Sequence, residues 1–209
     1  MKKVIVVLVI LIGLVVLAAI AIPILYKDKI VEKIKSTVNE KINAKVNFGS
    51  FDLTILGNFP NLTLCLNDIS VIGSGEFEGD TLTSIKELEV SLDLMSAIKG
   101  EQIKIRSVNL HQALINLLVL KDGKANWDIT KPAPATTATT SSSYNIALND
   151  YRLDQSEIRY NDESAGISLV LKDVNHSGKG DFTQDLFVLS TNTEIAKAFA
   201  WYGGVNYLN

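Results

Sequence analysis

The sequence holds one cysteine, two histidines and four prolines in 209 residues. A lone Cys65 excludes an internal disulfide. With only His111 and His176 to join it, a His/Cys-rich metal centre is not expected, and nothing points to another cofactor. Charge of one sign is lacking too. Twenty Lys and Arg face 23 Asp and Glu, for a net charge of −3. No basic surplus marks a nucleic-acid binder, so nucleic acid is not an expected partner. Aromatics are 7% of the chain, so the core must come mainly from Leu, Ile and Val. Catalytic signatures are missing as well. There is no GxSxG elbow, no HExxH and no P-loop. Gly73, Gly75 and Gly79 do not have the dinucleotide spacing, and no helix pattern follows them. Glu87, Glu89 and Asp93 alternate along a strand pattern, as a solvated face does. No enzyme activity and no catalytic residue are expected.

What the chain does have is one long apolar run. Val4 to Leu25 is 22 residues without a charge. At about 1.5 Å per residue it reaches roughly 33 Å, enough to cross a hydrocarbon core of roughly 30 Å. The rival is a cleaved signal peptide, with Lys2 and Lys3 as its basic start and Ala19-Ile20-Ala21 as its small-residue site. The run exceeds the usual apolar length of such a peptide, and Ile22-Pro23 follows directly, so an anchor over residues 1–26 is the expectation. Lysines flank both sides. Their count alone does not orient the span, because long domains translocate largely regardless of charge.

Residues 27–43 read as an amphipathic helix. Ile30, Val31, Ile34, Val38 and Ile42 fall within an arc of about 120° at 100° per residue. After Ala44 the period becomes two. Val46 and Phe48 alternate, and so do Phe51, Leu53 and Ile55, with a bulge or bend expected at Gly49-Ser50 between them. Gly57 to Asn61 reads as a turn. Further alternating runs are Leu62, Leu64, Leu66; Leu88, Val90, Leu92, Leu94; Ile103 and Ile105, with Val108 and Leu110 after a shift; and Ile115, Leu117, Val119. Lys121 to Lys124 reads as a hairpin turn whose return starts at Ala125. Residues 131–143, KPAPATTATTSSS, read as a flexible loop. Ten to twelve short strands are expected, in a body over residues 44–209.

The strand patterns repeat. Shifting the chain by 43 residues sets Leu110, Gln112, Ala113 and Ile115 on Leu153, Gln155, Ser156 and Ile158. Shifting it by 105 sets Leu62, Leu64, Leu66, Asp68, Ile69 and Gly73 on Ile167, Leu169, Leu171, Asp173, Val174 and Gly178. Such modules hide their apolar faces by standing side by side. The expected fold is therefore mainly β: a curved antiparallel sheet of repeated strand modules forming an open groove, behind a transmembrane helix and a short amphipathic helix. Leu62, Leu64, Leu66, Leu88, Val90, Leu92, Ile103, Ile105, Ile115, Leu117, Ile167, Leu169 and Leu171 would line it. A surface of that kind suits the acyl chains of phospholipids. The rival architecture is a closed sandwich acting as an envelope scaffold.

Certain segments, taken in order, carry a family likeness. They are Ile22-Pro23, Tyr26-Lys27-Asp28-Lys29-Ile30, Phe59-Pro60-Asn61-Leu62, Phe77 to Leu82, Asp122-Gly123-Lys124-Ala125-Asn126-Trp127-Asp128, Gly180-Asp181-Phe182 and Tyr202-Gly203-Gly204-Val205. The chain resembles the N-terminal region of AsmA family proteins in their Bacteroidetes-type form. That resemblance implies a single-pass bacterial inner-membrane protein with its body in the periplasm. Its architecture would be related to that of TamB and of bridge-like lipid-transfer proteins. It also implies work in phospholipid transport and outer-membrane assembly, with the lipid bilayer, acyl chains and envelope-assembly proteins as partners. Members of the family are usually longer, so the chain is expected to be an N-terminal portion.

Overall fold

The computed structural model describes residues 27–54, 61–99, 104–131, 149–180 and 188–208. The expected anchor from Val4 to Leu25, the turn before Asn61, Ile103 and nearly all of the low-complexity stretch lie outside them. Among the described residues no helix is long and apolar enough to cross a membrane.

Helix α1 covers Lys27–Lys41, close to the amphipathic stretch expected. Nine strands follow: β1 Ala44–Asn47, β2 Ser50–Thr54, β3 Asn61–Gly73, β4 Thr81–Asp93, β5 Ile105–Val119, β6 Asp150–Asp162, β7 Ile167–Lys179, β8 Ser190–Tyr202 and β9 Val205–Leu208. A short helix α2, Leu94–Lys99, joins β4 to β5. Leu94 therefore ends the alternation rather than extending it: the Asp93 carboxylate accepts the Ser96 N–H at 2.9 Å, which starts a helical turn.

All nine strands form one open sheet in the order β1-β3-β4-β5-β6-β7-β8-β9, with β2 also on β3. Its ends do not meet, so the closed sandwich is not the architecture. Two expectations need correction. The sheet is not wholly antiparallel, because β5 and β6 run parallel from Ser107↔Asp150 to Val119↔Asp162. A parallel neighbour needs a crossover of a dozen or more residues, which residues 120–149 supply. Against the ten to twelve strands expected, nine lie among the described residues. The two runs either side of Gln112 are one continuous strand. The return after Lys124 is an isolated bridge, Val119↔Ala125, rather than a strand. Asn126 replaces it, accepting from Leu118 N–H at 3.0 Å and donating to Asn116 C=O at 2.8 Å.

β1 and β2 are one edge broken where Gly49 N–H bonds Asn67 C=O at 2.9 Å, the bend expected there. Helix α1 lies along this edge. Asn39 accepts from Val46 N–H at 2.8 Å, and Lys35 Nζ donates to Phe48 C=O at 3.1 Å while sitting 4.3 Å above the Phe48 ring. An edge strand covered in this way cannot recruit another chain. The buried core sits beside it: Phe48, Phe51, Leu66, Ile69, Ile85 and Ala113.

Candidate functional site

The strand register collects the apolar side chains on one face. Leu62, Leu64 and Leu66 stand opposite Leu92, Val90 and Leu88. Leu88, Val90 and Leu92 in turn meet Leu110, Val108 and Ile105. Ile115 and Leu117 pair with Ile158 and Tyr160, which pair with Leu171 and Leu169. Asp162 stands opposite Ile167, and Ile167 opposite Tyr202. Every groove candidate among the described residues falls on this face, and Ile103 lies outside them. Sequence reading did not name Tyr151, Ile158, Tyr160 or Val174 as lining residues. The shift of 43 residues could have added Ile158 and Tyr160, since it sets them on Ile115 and Leu117.

Cover is uneven. Next to β1 and β2 the face is the buried core. Farther along it is open, with Ile167 40%, Ile195 42% and Tyr202 58% exposed. Among the described residues, the stretch 125–131 returns from β5 to helix α1 at one end of the sheet, with Asn43 N–H on Ile129 C=O at 2.6 Å and the Trp127 ring 6.3 Å from that of Tyr160. The helices pack chiefly on β1 and β4.

One row interrupts every long central strand. In β3, Leu66 is followed by Ile69 on the same face; in β4 Ile85 by Leu88, in β5 Leu110 by Ala113, in β6 Leu153 by Ser156 and in β7 Leu171 by Val174. The three-residue step needs one residue out of phase. In four of these strands that residue has a left-handed backbone: Asp68 (φ 53), Gln112 (φ 50), Gln155 (φ 48) and Asp173 (φ 51). β4 puts Lys86 there, opposite Asp68, and their side chains pair at 2.7 Å. Gln112 and Gln155 touch at 3.4 Å. The pairing keeps its register through this row between β3 and β4, β4 and β5, β5 and β6, and β7 and β8, and shifts there only between β6 and β7. Neighbouring strands slip phase together, so their apolar side chains stay on one face.

Two details keep this row sealed. Ala113 N–H, which the bulge takes out of the ladder, donates to Ser156 Oγ at 3.0 Å, and Ser156 Oγ donates to Asp154 C=O at 2.9 Å. Both residues are almost fully buried. At the two matched glycines a neighbour takes the space of a side chain. A Cβ on Gly178 would run into the Tyr151 ring, and one on Gly73 would run into the Phe77 backbone carbonyl and Cβ.

The opposite face is polar. Cys65 lies there, away from the Leu62–Leu66 side. Its sulfur is within 4.8 Å of oxygens of Glu87 and Glu89, the one such potential ligand group among the described residues and one that sequence reading missed. Cross-strand pairing makes it, since Cys65 stands opposite Glu89. Burial, with the negative charges of Glu87, Glu89 and Asp52 behind it, pushes the thiol above its ordinary value. A protonated thiol is a poor metal ligand. His111 shares a shallow cleft on this face with Glu87, Glu89, Arg152 and Asp154. His176 is half-buried and held on both ring nitrogens: Nε2 is 3.1 Å from Tyr151 Oη and Nδ1 is 2.7 Å from Thr193 Oγ1.

No curated protein matches the chain. The sequence model of the AsmA family does, over residues 1–197. With a match of that extent over the anchor-like segment, helix α1 and the strands β1 to β7, the chain belongs to the AsmA family.

Proposed function

We propose that this is a non-enzymatic, inner-membrane-anchored protein whose body stands in the periplasm. Its apolar sheet face would carry phospholipid acyl chains in the service of outer-membrane assembly. The observation that supports the reading best is the mainly apolar register from β3 to β8, broken at Thr83, Asp162 and His176 and left open toward β8. Open apolar area of this kind marks an interaction or lipid surface rather than an ordinary exterior. Membership of the AsmA family and the apolar run from Val4 to Leu25 support the envelope setting.

A photo-crosslinking residue placed at Val90, with Glu89 as the opposite-face control, tests it in the full chain purified by gentle detergent extraction. Phospholipid adducts are expected at position 90 and not at 89. Val90→Lys should remove co-purified lipid while the circular dichroism of the sheet stays unchanged. An intact sheet with no lipid adduct at 90 refutes the proposal. Protein adducts alone at that position would favour an envelope-scaffold role.

A further inference from the structure

We infer that the corner of the apolar face formed by Tyr151, His176, Thr191 and Thr193 is a site for the phosphate of a phospholipid whose acyl chains lie on the aliphatic rows beside it. The inference rests on the lipid-carrying reading above and adds where the headgroup is held. The strand register shows a change of character along two rows. One row across the sheet runs Val90, Val108, Tyr151, Gly178 and Thr191. The next runs Leu88, Leu110, Leu153, His176 and Thr193. Both are aliphatic on β4 and β5 and polar on β8. On the other side of the out-of-phase residues the face stays apolar to its edge, where Val174, Leu171 and Leu169 stand opposite Ile195, Ala198 and Ala200. The polar groups of β6 to β8 on this stretch of the face are therefore gathered in one corner.

Contacts across strands tie this corner together. Tyr151 stands opposite Gly178, and a Cβ there would run into its ring. The missing side chain lets the ring lean toward His176, with the ring centroids 5.5 Å apart and Oη 3.1 Å from Nε2. His176 Nδ1 reaches across to β8, 2.7 Å from Thr193 Oγ1. Tyr151 and His176 are half-buried, whereas Thr191 and Thr193 are exposed, so the cluster runs from the aliphatic floor out to water. Its composition selects the ligand. Three hydroxyls and an imidazole are all able to donate a hydrogen bond. Among the described residues, neither row carries an Asp or a Glu. Those β8 amides that face away from β7 add N–H donors at the edge. Such a set suits an anionic oxygen rather than an ammonium group, because hydrogen bonds to a charged acceptor are roughly twice as strong as neutral ones. The row of Val174 and Ile195 lies two to three residues from that of His176 and Thr193, about 7–10 Å along the strands. The phosphate and an acyl chain of one lipid fit that spacing.

The test uses the full chain in detergent micelles holding equal amounts of a phosphatidylglycerol and a diacylglycerol with the same acyl chains, with a photo-crosslinking residue replacing Ile195. Phospholipid adducts should exceed diacylglycerol adducts several-fold. Thr193→Val and His176→Leu should each bring that ratio close to one while diacylglycerol adducts persist. Circular dichroism of the sheet is the folding control, and Thr193→Val, at an exposed position, decides on its own. Inorganic phosphate at the concentration of the lipid should leave the ratio unchanged, because it lacks the acyl chains. A ratio that it collapses marks a site for free phosphate and overturns the lipid assignment. A ratio near one in the unaltered protein, or one that Thr193→Val does not lower, overturns the inference as well. Lipid adducts at Val90 with none at position 195 overturn it and leave the carrying reading intact. No lipid adduct at either position removes both.

Discussion

At the scale of single residues, the sheet depends on a few polar atoms placed where the ladder breaks. Ser156 is the clearest, because its hydroxyl is the partner that Ala113 N–H has inside the sheet. Ser156→Ala keeps the volume but leaves that donor buried and unsatisfied, a cost of about 1–3 kcal/mol. Urea unfolding should show the midpoint falling with an unchanged slope. Cys65 gives a second residue-scale prediction. Its thiol is raised by burial and by Glu87, Glu89 and Asp52. Alkylation at neutral pH should be slower than for a free thiol, and Glu87→Gln with Glu89→Gln should move the pH–rate curve downward. The sign for stability follows. A raised thiol keeps its proton in the folded state, so its contribution holds below the unfolded value and is lost as pH rises through the folded one. A curve for Cys65 identical to that of a free thiol would refute the assignment.

At the scale of elements, the bulge row is the feature that sets each long central strand. Residues with left-handed backbones cost roughly 1–2 kcal/mol each unless glycine takes the place. Gln112→Gly should therefore be neutral or mildly stabilising, whereas Gln112→Val should destabilise, since a β-branched residue fits that conformation worst. Thermal unfolding of the pair checks this, and equal midpoints would refute it. The row was partly legible. The spacing of Leu66 and Ile69, repeated in Leu171 and Val174, was visible in the shift of 105 residues, and so were Asp68 and Asp173. Its meaning was not. Counting strands by phase split β5 at Gln112, because a slip in alternation looks the same whether the strand ends or bulges. The matched glycines show a similar limit. Gly73 and Gly178 were aligned in the sequence, but that Phe77 and Tyr151 fill their places depends on contacts across strands and turns.

At the scale of the whole molecule, the sheet is closed off at one edge and open at the other. Helix α1 covers β1, whereas β8 pairs along its length with β7 but meets β9 only from Ala200 to Tyr202. From Ser190 to Ala198, every second amide faces away from β7 with no strand beyond it among the described residues. Hydrogen exchange should be slow throughout β4, β5 and β6, each of which has neighbours on both sides, and fast at alternate amides of β8. Uniform protection along β8 would mean that another strand covers that edge. An exposed edge of this length is a template for further pairing, which fits the proposed envelope partners.

The sequence alone determined the local choices. Period-two apolar spacing made strands, the 3.6 period of residues 27–43 made helix α1, and the pairing of Gln112 with Gln155 at an offset of 43 residues foretold two neighbouring strands in matched phase. It could not say that β5 and β6 run parallel. Alternation is the same read in either direction, and only the pairing of β5 with β6 selects between them. Nor could it place Cys65 against Glu87 and Glu89, or leave the apolar face open. Those follow from which strands lie side by side and from α1 being long enough to cover one edge alone. Local periodicity acts within a few residues, whereas strand order and the open face are settled by contacts between segments far apart in the chain.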